Sequence, residues 1–581
     1  MSIQTTVSRS DGIRSDRFLP ACLLIAFATY LWSRLPLLTS PYAANEDASQ
    51  HLTWLNDPKG FSPFDDTVGF IRDCLAPRGF YWVNRLAGLF LSPHDAVSLI
   101  DFLRCSLLFT LAYLIVLKMS GRSWIGLLLF YVLFHLSIII GDVGMPRSFA
   151  SVFLLTCFAA ETGIGRRYSM WSFGILASSL FYPPCTLILC VAFLLVHVLK
   201  WIQTRRFPWP GNLNAALILV AVSVAALVSI SASDGIRESP IGGPTVDRSS
   251  ILKDPHYSEK GRVNLRIFVE SPVPTYFKTS RNEFRNLLPV DSKAWTPLTR
   301  LLVVIGCFMV WAFVRRMHGA DMALAVFLSG ILLYFLAVAL MFRLFTPNRY
   351  IQYTLLPSFM MLGAVLCKAS EHLSAREEKL RGILVALILG FTALFLRPSG
   401  LTDFSSHSKL YEAVERHVKP GQMIATNNLK VGDMIPWFNG RSVYVNYENQ
   451  GTAVFYKGQI RNLDRKMSVW NDIFNLQSVD SLAVLLEENH IDGLLLQAPY
   501  HGIADTFSIL DPYPRTWKEY NALRLLIEAR APSAEFVSSG TNFRYYDLRG
   551  VDVRRVVSDS SGSVPLQVPA RSLAGSSRIL P

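Results

Sequence analysis

Long apolar stretches alternate with short polar ones along most of this chain. About eleven apolar runs stand out, at roughly 19–37, 99–117, 123–140, 148–162, 169–181, 185–199, 213–231, 298–314, 321–340, 351–369 and 382–396. Most are long enough to cross about 30 Å of hydrocarbon as helices, so the pattern predicts a polytopic α-helical membrane protein with about eleven transmembrane helices over residues 19–397. Two interruptions exceed ordinary connections, at 38–98 and 233–297. The first is rich in Pro, Asp and aromatics, and its Phe80-Tyr81-Trp82-Val83 and Leu86–Leu91 stretches suit the membrane interface or a re-entrant segment. The second opens with Ser239-Pro240-Ile241-Gly242-Gly243-Pro244 and is expected to cover the membrane domain as a plug or lid.

After about residue 397 the period changes. Helices are predicted at Leu410–Val418, Ser478–Asn489 and Thr516–Glu528, and strands at Gln422–Thr426, Ser442–Asn446 and Gly493–Gln497. This alternation predicts a small α/β domain with a partly parallel sheet over 398–546. A flexible Ser/Pro/Val-rich tail is expected at 547–581, and a short N-terminal tail at 1–18.

Composition agrees with membrane residence: 51% of residues are hydrophobic and the mean hydropathy is +0.31. The net charge of +13 does not signal nucleic-acid binding, because the cations sit at the ends of apolar runs rather than in one soluble stripe. Arg9, Arg14 and Arg17 precede the first run; Lys118 and Arg122, Arg166 and Arg167, Lys200, Arg205 and Arg206, Arg315 and Arg316, and Lys368 to Arg381 mark alternate ends thereafter. The positive-inside rule then puts the N-terminus in the cytoplasm. Eleven crossings of the inner membrane would leave the C-terminal domain outside, in the periplasm or extracellular space. The first run reads as a retained anchor, since Leu35-Pro36-Leu37-Leu38 offers no small-residue cleavage site. Seven of the eight cysteines fall in apolar runs, so neither a disulfide framework nor a metal-binding cysteine spacing is expected.

That topology gathers several chemically capable residues on the outer side. Asn45-Glu46-Asp47 begins just after the first run, followed by His51, Trp54 and the pair Asp65-Asp66. Adjacent carboxylates above a bilayer can serve as a general base, hold a divalent cation, or simply be solvated. Gly141-Asp142-Val143-Gly144-Met145-Pro146-Arg147-Ser148-Phe149, Tyr182-Pro183-Pro184, and Arg343 with Thr346-Pro347-Asn348-Arg349-Tyr350 form turns on the same side. Outer arginines oppose the positive-inside trend, and a guanidinium at a helix mouth binds phosphate bidentately. Snorkelling to lipid headgroups explains either arginine alone. Arg147 and Arg349 together with the acidic loop favour an anionic lipid substrate, with Arg343 as a further phosphate contact.

The early acidic pair, the eleven-run layout and the C-terminal outer domain resemble the GT-C superfamily of integral membrane glycosyltransferases. Gly144-Met145-Pro146-Arg147-Ser148-Phe149, Phe181-Tyr182-Pro183-Pro184 and Pro347-Asn348-Arg349-Tyr350 also resemble segments of a set of bacterial membrane proteins with that layout. The resemblance implies a polyprenyl-phosphate-sugar donor, with Glu46 or Asp47 in the catalytic place. The tail lacks the WWD-type motif of the oligosaccharyltransferase branch, which argues against N-glycan transfer to proteins. The expected reaction is transfer of a sugar to a glycan or lipid acceptor with inversion, with Asp47 favoured as base and Glu46 beside it. His51, one helical turn beyond Asp47 if 45–55 is helical, would orient that carboxylate or stand as a satisfied loop histidine, and Tyr182 and Trp82 would stack on sugar or, as the residue types favour, belong to an interfacial aromatic belt. A divalent cation such as Mg or Mn, held by Asp47 with Asp65 or Asp66, is an alternative to part of the arginine clamp. A transporter or flippase of lipid-linked saccharide, and a non-enzymatic envelope assembly protein, are the other classes the sequence admits.

Overall fold

The computed structural model of the chain describes residues 19–45, 47, 49–56, 60–120, 142–206, 211–258, 264–285, 295–317, 319–341, 343–369, 401–446, 455–503, 518 and 521–555. The membrane part is built from α1 (Leu19–Ser33), α2 (Arg78–Ala87), α3 (Pro93–Ser120), α4 (Ala150–Glu161), α5 (Arg167–Phe181), α6 (Pro183–Thr204), α7 (Asn212–Glu238), α8 (Ala320–Leu340) and α9 (Pro347–Ala369), with further helices at Pro272–Arg285 and Trp295–Val314.

Among the described residues, four helices are long and apolar enough to cross a membrane: Pro93–Lys118, Pro183–Thr204, Asn212–Glu238 and Ala320–Leu340. At 1.5 Å per residue, their 21 to 27 residues rise about 32–40 Å. This corrects the expectation of about eleven transmembrane helices. The 12 residues of α4 rise only about 18 Å, and every one of them is buried, so their apolar character serves contact with protein rather than with lipid. Helix α5 has 15 residues, and α1 stops after 15, where Arg34 turns inward. The run at 351–369 lies in α9, whose Asn348, Arg349, Gln352, Thr354, Pro357 and Ser358 lower its hydropathy. In the run at 298–314, Val304–Val314 forms a short apolar helix. The runs at 123–140 and 382–396 lie outside the described residues.

Close packing joins these helices. A Cβ on Gly330 of α8 would meet Thr354 Oγ1 of α9 at 1.9 Å, so only glycine permits that approach. Two buried ionic groups mark opposite ends of the bundle. Asp101 of α3 accepts from Arg34 Nε at 2.9 Å and also pairs with Arg104, all three side chains being almost fully buried. Glu161 at the end of α4 accepts from Arg167 Nε at 2.6 Å, Trp171 Nε1 at 2.8 Å and Lys200 Nζ, and Lys200 reaches Asp321 of α8 at 3.2 Å. A carboxylate with three donors satisfies its lone pairs and ties four helices together.

The C-terminal part carries a five-stranded sheet in the order β4-β3-β5-β7-β6. Its strands are β3 (Met423–Thr426), β4 (Ser442–Val443), β5 (Gly493–Gln497), β6 (Ala534–Ser538) and β7 (Thr541–Asp547). β3 runs parallel to β4 and β5, while β7 pairs antiparallel with β5 and β6. Alternate side chains of a strand face opposite ways. Accordingly Ile424, Leu495, Phe543 and Tyr545 share one core with Leu52, Trp54 and Phe61 of the first loop. Met423, Ala425, Leu494, Leu496 and Tyr546 share another with Trp470 and Phe474 of α11 (Lys457–Asn475), which comes after α10 (Ser408–His417). A short antiparallel pair, β1 (Ala43–Ala44) with β2 (Thr402–Asp403), adds a backbone tie between the first loop and the tail.

The second long loop is fastened to the same tail. Lys457 N donates to Pro244 O at 2.9 Å and Gly458 N to Gly242 O at 2.8 Å. His256 lies between two carboxylates, with Nδ1 2.6 Å from Asp254 and Nε2 3.2 Å from Asp464 of α11. Burial disfavours its imidazolium, but hydrogen bonds and charge from Asp464 and Asp254 outweigh that and raise its pKa above 6.5. The charged clasp is therefore complete below the unfolded value of 6.5 and is lost as pH rises through the higher folded value. His256→Gln is expected to cost about 1 kcal/mol at pH 6 and much less at pH 9, read as the difference in thermal midpoint between variant and parent at each pH. An equal deficit at both pH values would show that packing, not charge, holds the loop.

Candidate active site

Three short segments converge where the first loop meets the helix mouths. In the first, Asp47 N donates to Asn45 Oδ1 at 2.8 Å, an Asx-type turn that fixes the Asp47 backbone ahead of the short helix Ser49–Leu52. In the second, Gly144 takes a φ of 72°, bending the chain so that Pro146 opens the 3-10 turn Pro146–Phe149 and presents Arg147. The third is the first turn of α9, where Pro347 sets the helical φ and Arg349 N donates to Thr346 O at 3.2 Å.

Arg147 is the centre of the arrangement. Its Nε donates to Asp142 Oδ2 at 2.6 Å and its Nη2 to Asp47 Oδ2. Asn45 Nδ2 donates to the other Asp142 oxygen at 3.3 Å, so Asn45 braces the Asp142 carboxylate with one end of its amide and the Asp47 backbone with the other. Asp47 leaves 33% of its side chain open whereas Asp142 leaves 4%, so Asp47 is the carboxylate an incoming molecule can reach.

Electrostatics separates the two acids. Burial pushes the Asp47 carboxyl up, but the Arg147 cation and its hydrogen bond, with help from His51 and Arg349, hold it below the usual carboxylate range. Burial wins at Asp142, whose carboxyl is raised despite Arg147 because it is more deeply enclosed and feels Asp47. Burial, with the cations of Arg147 and Arg349, pushes His51 down to about 4, so its imidazole is neutral at pH 7.

Arg349 acts on Asp47, His51 and Asp142 alike, which puts it in the same field as Arg147. Its Nη1 donates to Gln352 Oε1 at 3.1 Å, and among the described residues no carboxylate pairs with it. The Tyr182 ring, at the start of α6, meets Tyr353 of α9 edge to face at 4.9 Å. Around this centre, Thr346 Oγ1, Asn348 Oδ1 and His51 Nδ1 are buried and lack a hydrogen-bond partner among the described residues. Each such atom costs roughly 1–3 kcal/mol if left dry, so several together call for a polar ligand or water.

The structure thus brings Asp47, His51, Arg147, Arg349 and Tyr182 together. Arg343 is exposed in the turn before α9, and Trp82 is 64% exposed on α2; neither joins the cluster. Glu46 lies outside the described residues. Asp65 and Asp66 have other partners: Asp65 Oδ1 caps a helix by accepting from Thr67 N and Val68 N at 3.2 Å, and Asp66 pairs with Lys466 Nζ of α11 at 2.7 Å. The cation set expected from Asp47 with Asp65 or Asp66 therefore does not fit. Among the described residues no group of three His, Cys, Asp or Glu side chains could hold a metal ion.

Sequence reasoning missed Asp142 and Tyr353 as site residues. Both had a usable signal: Asp142 stands five residues before Arg147 across a Gly-containing turn, and Tyr353 lies one helical turn beyond Arg349, on the same face.

No protein-family model matches the chain, and no curated protein matches it. Among solved structures it is similar to the archaeal oligosaccharyltransferase AglB from Archaeoglobus fulgidus in complex with an inhibitory peptide and a dolichol-phosphate. That likeness has 12% identity and a TM-score of 0.45, over 95% of this chain and 76% of the other. An Archaeoglobus fulgidus oligosaccharyltransferase tethered to an acceptor peptide is similar at 11% identity and a TM-score of 0.45, over 92% and 74%. Likeness at this level assigns no residue a role.

Proposed function

We propose that this chain is a membrane glycosyltransferase of the GT-C type. It moves a sugar from a polyprenyl-phosphate-linked donor to a glycan or lipid acceptor at the outer face of the membrane, with inversion. The observation that carries this reading is the Arg147–Asp47 pair beside Arg349, ringed by buried polar atoms without partners among the described residues. Two guanidiniums with unspent donors suit a phosphate, and one reachable carboxylate suits proton acceptance.

The chemistry rests on the charges. Donor phosphate takes the Arg147 and Arg349 donors and so releases Asp47 from its ion pair. With Arg147 neutralised by phosphate, the burial that pushes the Asp47 carboxyl up is no longer offset, and the carboxylate becomes a better base. Asp47 removes the acceptor O–H proton while that oxygen bonds to the anomeric carbon. The bond from anomeric carbon to phosphate oxygen breaks on the opposite face, and lipid phosphate leaves with its charge held by the arginines. Phosphate needs no general acid, so Asp142 can remain the brace of Arg147.

Orientation belongs to the same proposal. Arg167, Lys200, Arg205 and Arg316 cluster at the helix ends remote from Tyr182, with Arg316 Nη2 donating to Gln203 O at 3.0 Å. The positive-inside rule makes that end cytoplasmic and sets the site and the tail outside.

The test is transfer from a synthetic polyprenyl-phosphate sugar by the purified protein in liposomes. Arg349→Gln is expected to weaken donor binding about tenfold or more, the worth of a charge-assisted hydrogen bond, while leaving the fold intact because no carboxylate among the described residues depends on it. Lipid-phosphate binding unchanged in Arg349→Gln would remove the arginine pair from the mechanism.

A further inference from the structure

Helix α2 has two unlike faces. Inward, the Phe80 ring lies 6.5 Å from Phe149, two residues beyond Arg147, and the Tyr81 ring lies 4.4 Å from Trp54, whose Nε1 donates to His51 O. Outward, Trp82 is 64% exposed and Leu86 62%, and the strip continues through Leu89 at 62% and Phe90 at 82%. The spacing 82, 83, 86, 89 and 90 keeps one stripe along a helix and the turn after it. Large apolar side chains this open to water would be costly in a soluble loop.

The next helix indicates the occupant of this face. Pro93 opens the helix Pro93–Lys118, which is long and apolar enough to cross a membrane and whose Leu99, Leu103 and Leu107 are themselves exposed. The strip on α2 therefore leads along the chain into an exposed apolar face of a helix long and apolar enough to cross a membrane. Arg78 and Arg85 are exposed beside it, and among the described residues no carboxylate pairs with Arg85. An apolar face flanked by arginine matches the headgroup–acyl boundary of an anionic bilayer.

We propose that α2 lies in the plane of the membrane interface, with Trp82, Leu86, Leu89 and Phe90 seated among the upper acyl chains and Arg85 on anionic headgroups. Because its other face holds Trp54 and Phe149, this seating fixes the height of Asp47 and Arg147 above the bilayer. That a lipid-borne phosphate is thereby presented to the site rests on the function proposed above; the seating itself does not.

The full-length protein is reconstituted in vesicles of phosphatidylcholine with one part in about five of phosphatidylglycerol, with or without bromine on the upper acyl carbons. Subtracting the emission of Trp82→Phe from that of the parent isolates Trp82. Its emission is expected to fall at least twofold in brominated vesicles and to resist aqueous acrylamide. Quenching by acrylamide and not by bromolipid would place the face in water. Quenching by neither would place it against protein, and either result overturns the proposal. Phe90→Trp in the parent, read as added emission with the same bromolipid response, keeps the test open if Trp82→Phe fails to fold. Because no sugar transfer is measured, failure here leaves the proposed reaction standing, and failure of the reaction leaves this seating standing.

Discussion

Replacing Arg147 by alanine is expected to lower sugar transfer about a thousandfold or more. The side chain holds Asp47 and Asp142 at once, and in the proposed reaction it also carries the charge of the departing phosphate. Loss of one charge-stabilising donor in a transition state costs about a hundred- to a thousandfold in rate, and here a second loss is added. Without the guanidinium two carboxylates face each other, one of them 4% exposed, and breaking a buried pair costs about 3–5 kcal/mol. Burial already pushes the Asp142 carboxyl up, and removing the Arg147 cation that opposes this pushes it further in the same direction. Arg147→Lys is the sharper probe. A single ammonium cannot present Nε and Nη2 to two separate carboxylates, so transfer should fall about ten- to a hundredfold with the fold retained. Turnover and thermal midpoint measured together separate the two effects, and near-normal turnover in either variant would remove Arg147 from the chemistry.

The sequence revealed the parts of the site better than the depth of the helices. Arg147 and Arg349 were legible because each comes after a proline at a helix mouth, where local geometry alone decides what the side chain can reach. Asp47 was legible for a similar reason, as a carboxylate soon after an apolar run. Apolar runs are a poorer guide, because a helix enclosed by protein and a helix facing lipid draw on the same residues. All 12 residues of α4 are buried, so nothing in their composition separates them from a span, and only their length does.

Other misses came from contacts between distant segments. Asp65 and Asp66 read as an acidic pair open to a cation, but one caps a helix and the other meets Lys466, about four hundred residues away. No local pattern announces such a partner. The strand and helix periods of the tail likewise say nothing of its contact with the first loop, where Ile424 and Leu495 pack against Leu52 and Trp54. The hairpin of β6 and β7 also escaped reading. Glu535, Asn542 and Arg544 break up its apolar residues, and the pairing of β7 with β5 is what makes those segments strands.

The Asp47→Asn variant is expected to lose turnover about a thousandfold, within the range for removing a positioned base, while binding donor at least as tightly as the parent. Asparagine keeps the size of the side chain and an oxygen that Arg147 can donate to, so the turn held by Asn45 should survive. It cannot accept the acceptor's proton. It also carries no charge, and that sets the direction of the binding change. In the parent, the Asp47 carboxylate occupies a donor of Arg147, so an incoming phosphate must displace an anion before it binds. In the variant only a neutral amide is displaced, and the site gains one unit of positive charge. Binding of a non-transferable polyprenyl phosphate, measured beside turnover in the same liposomes, reads both effects. Tighter binding with lost turnover is the signature of a base that guards the phosphate site. Weaker binding with turnover retained would mean that Asp47 only positions Arg147, and the proton acceptor would then have to be sought elsewhere.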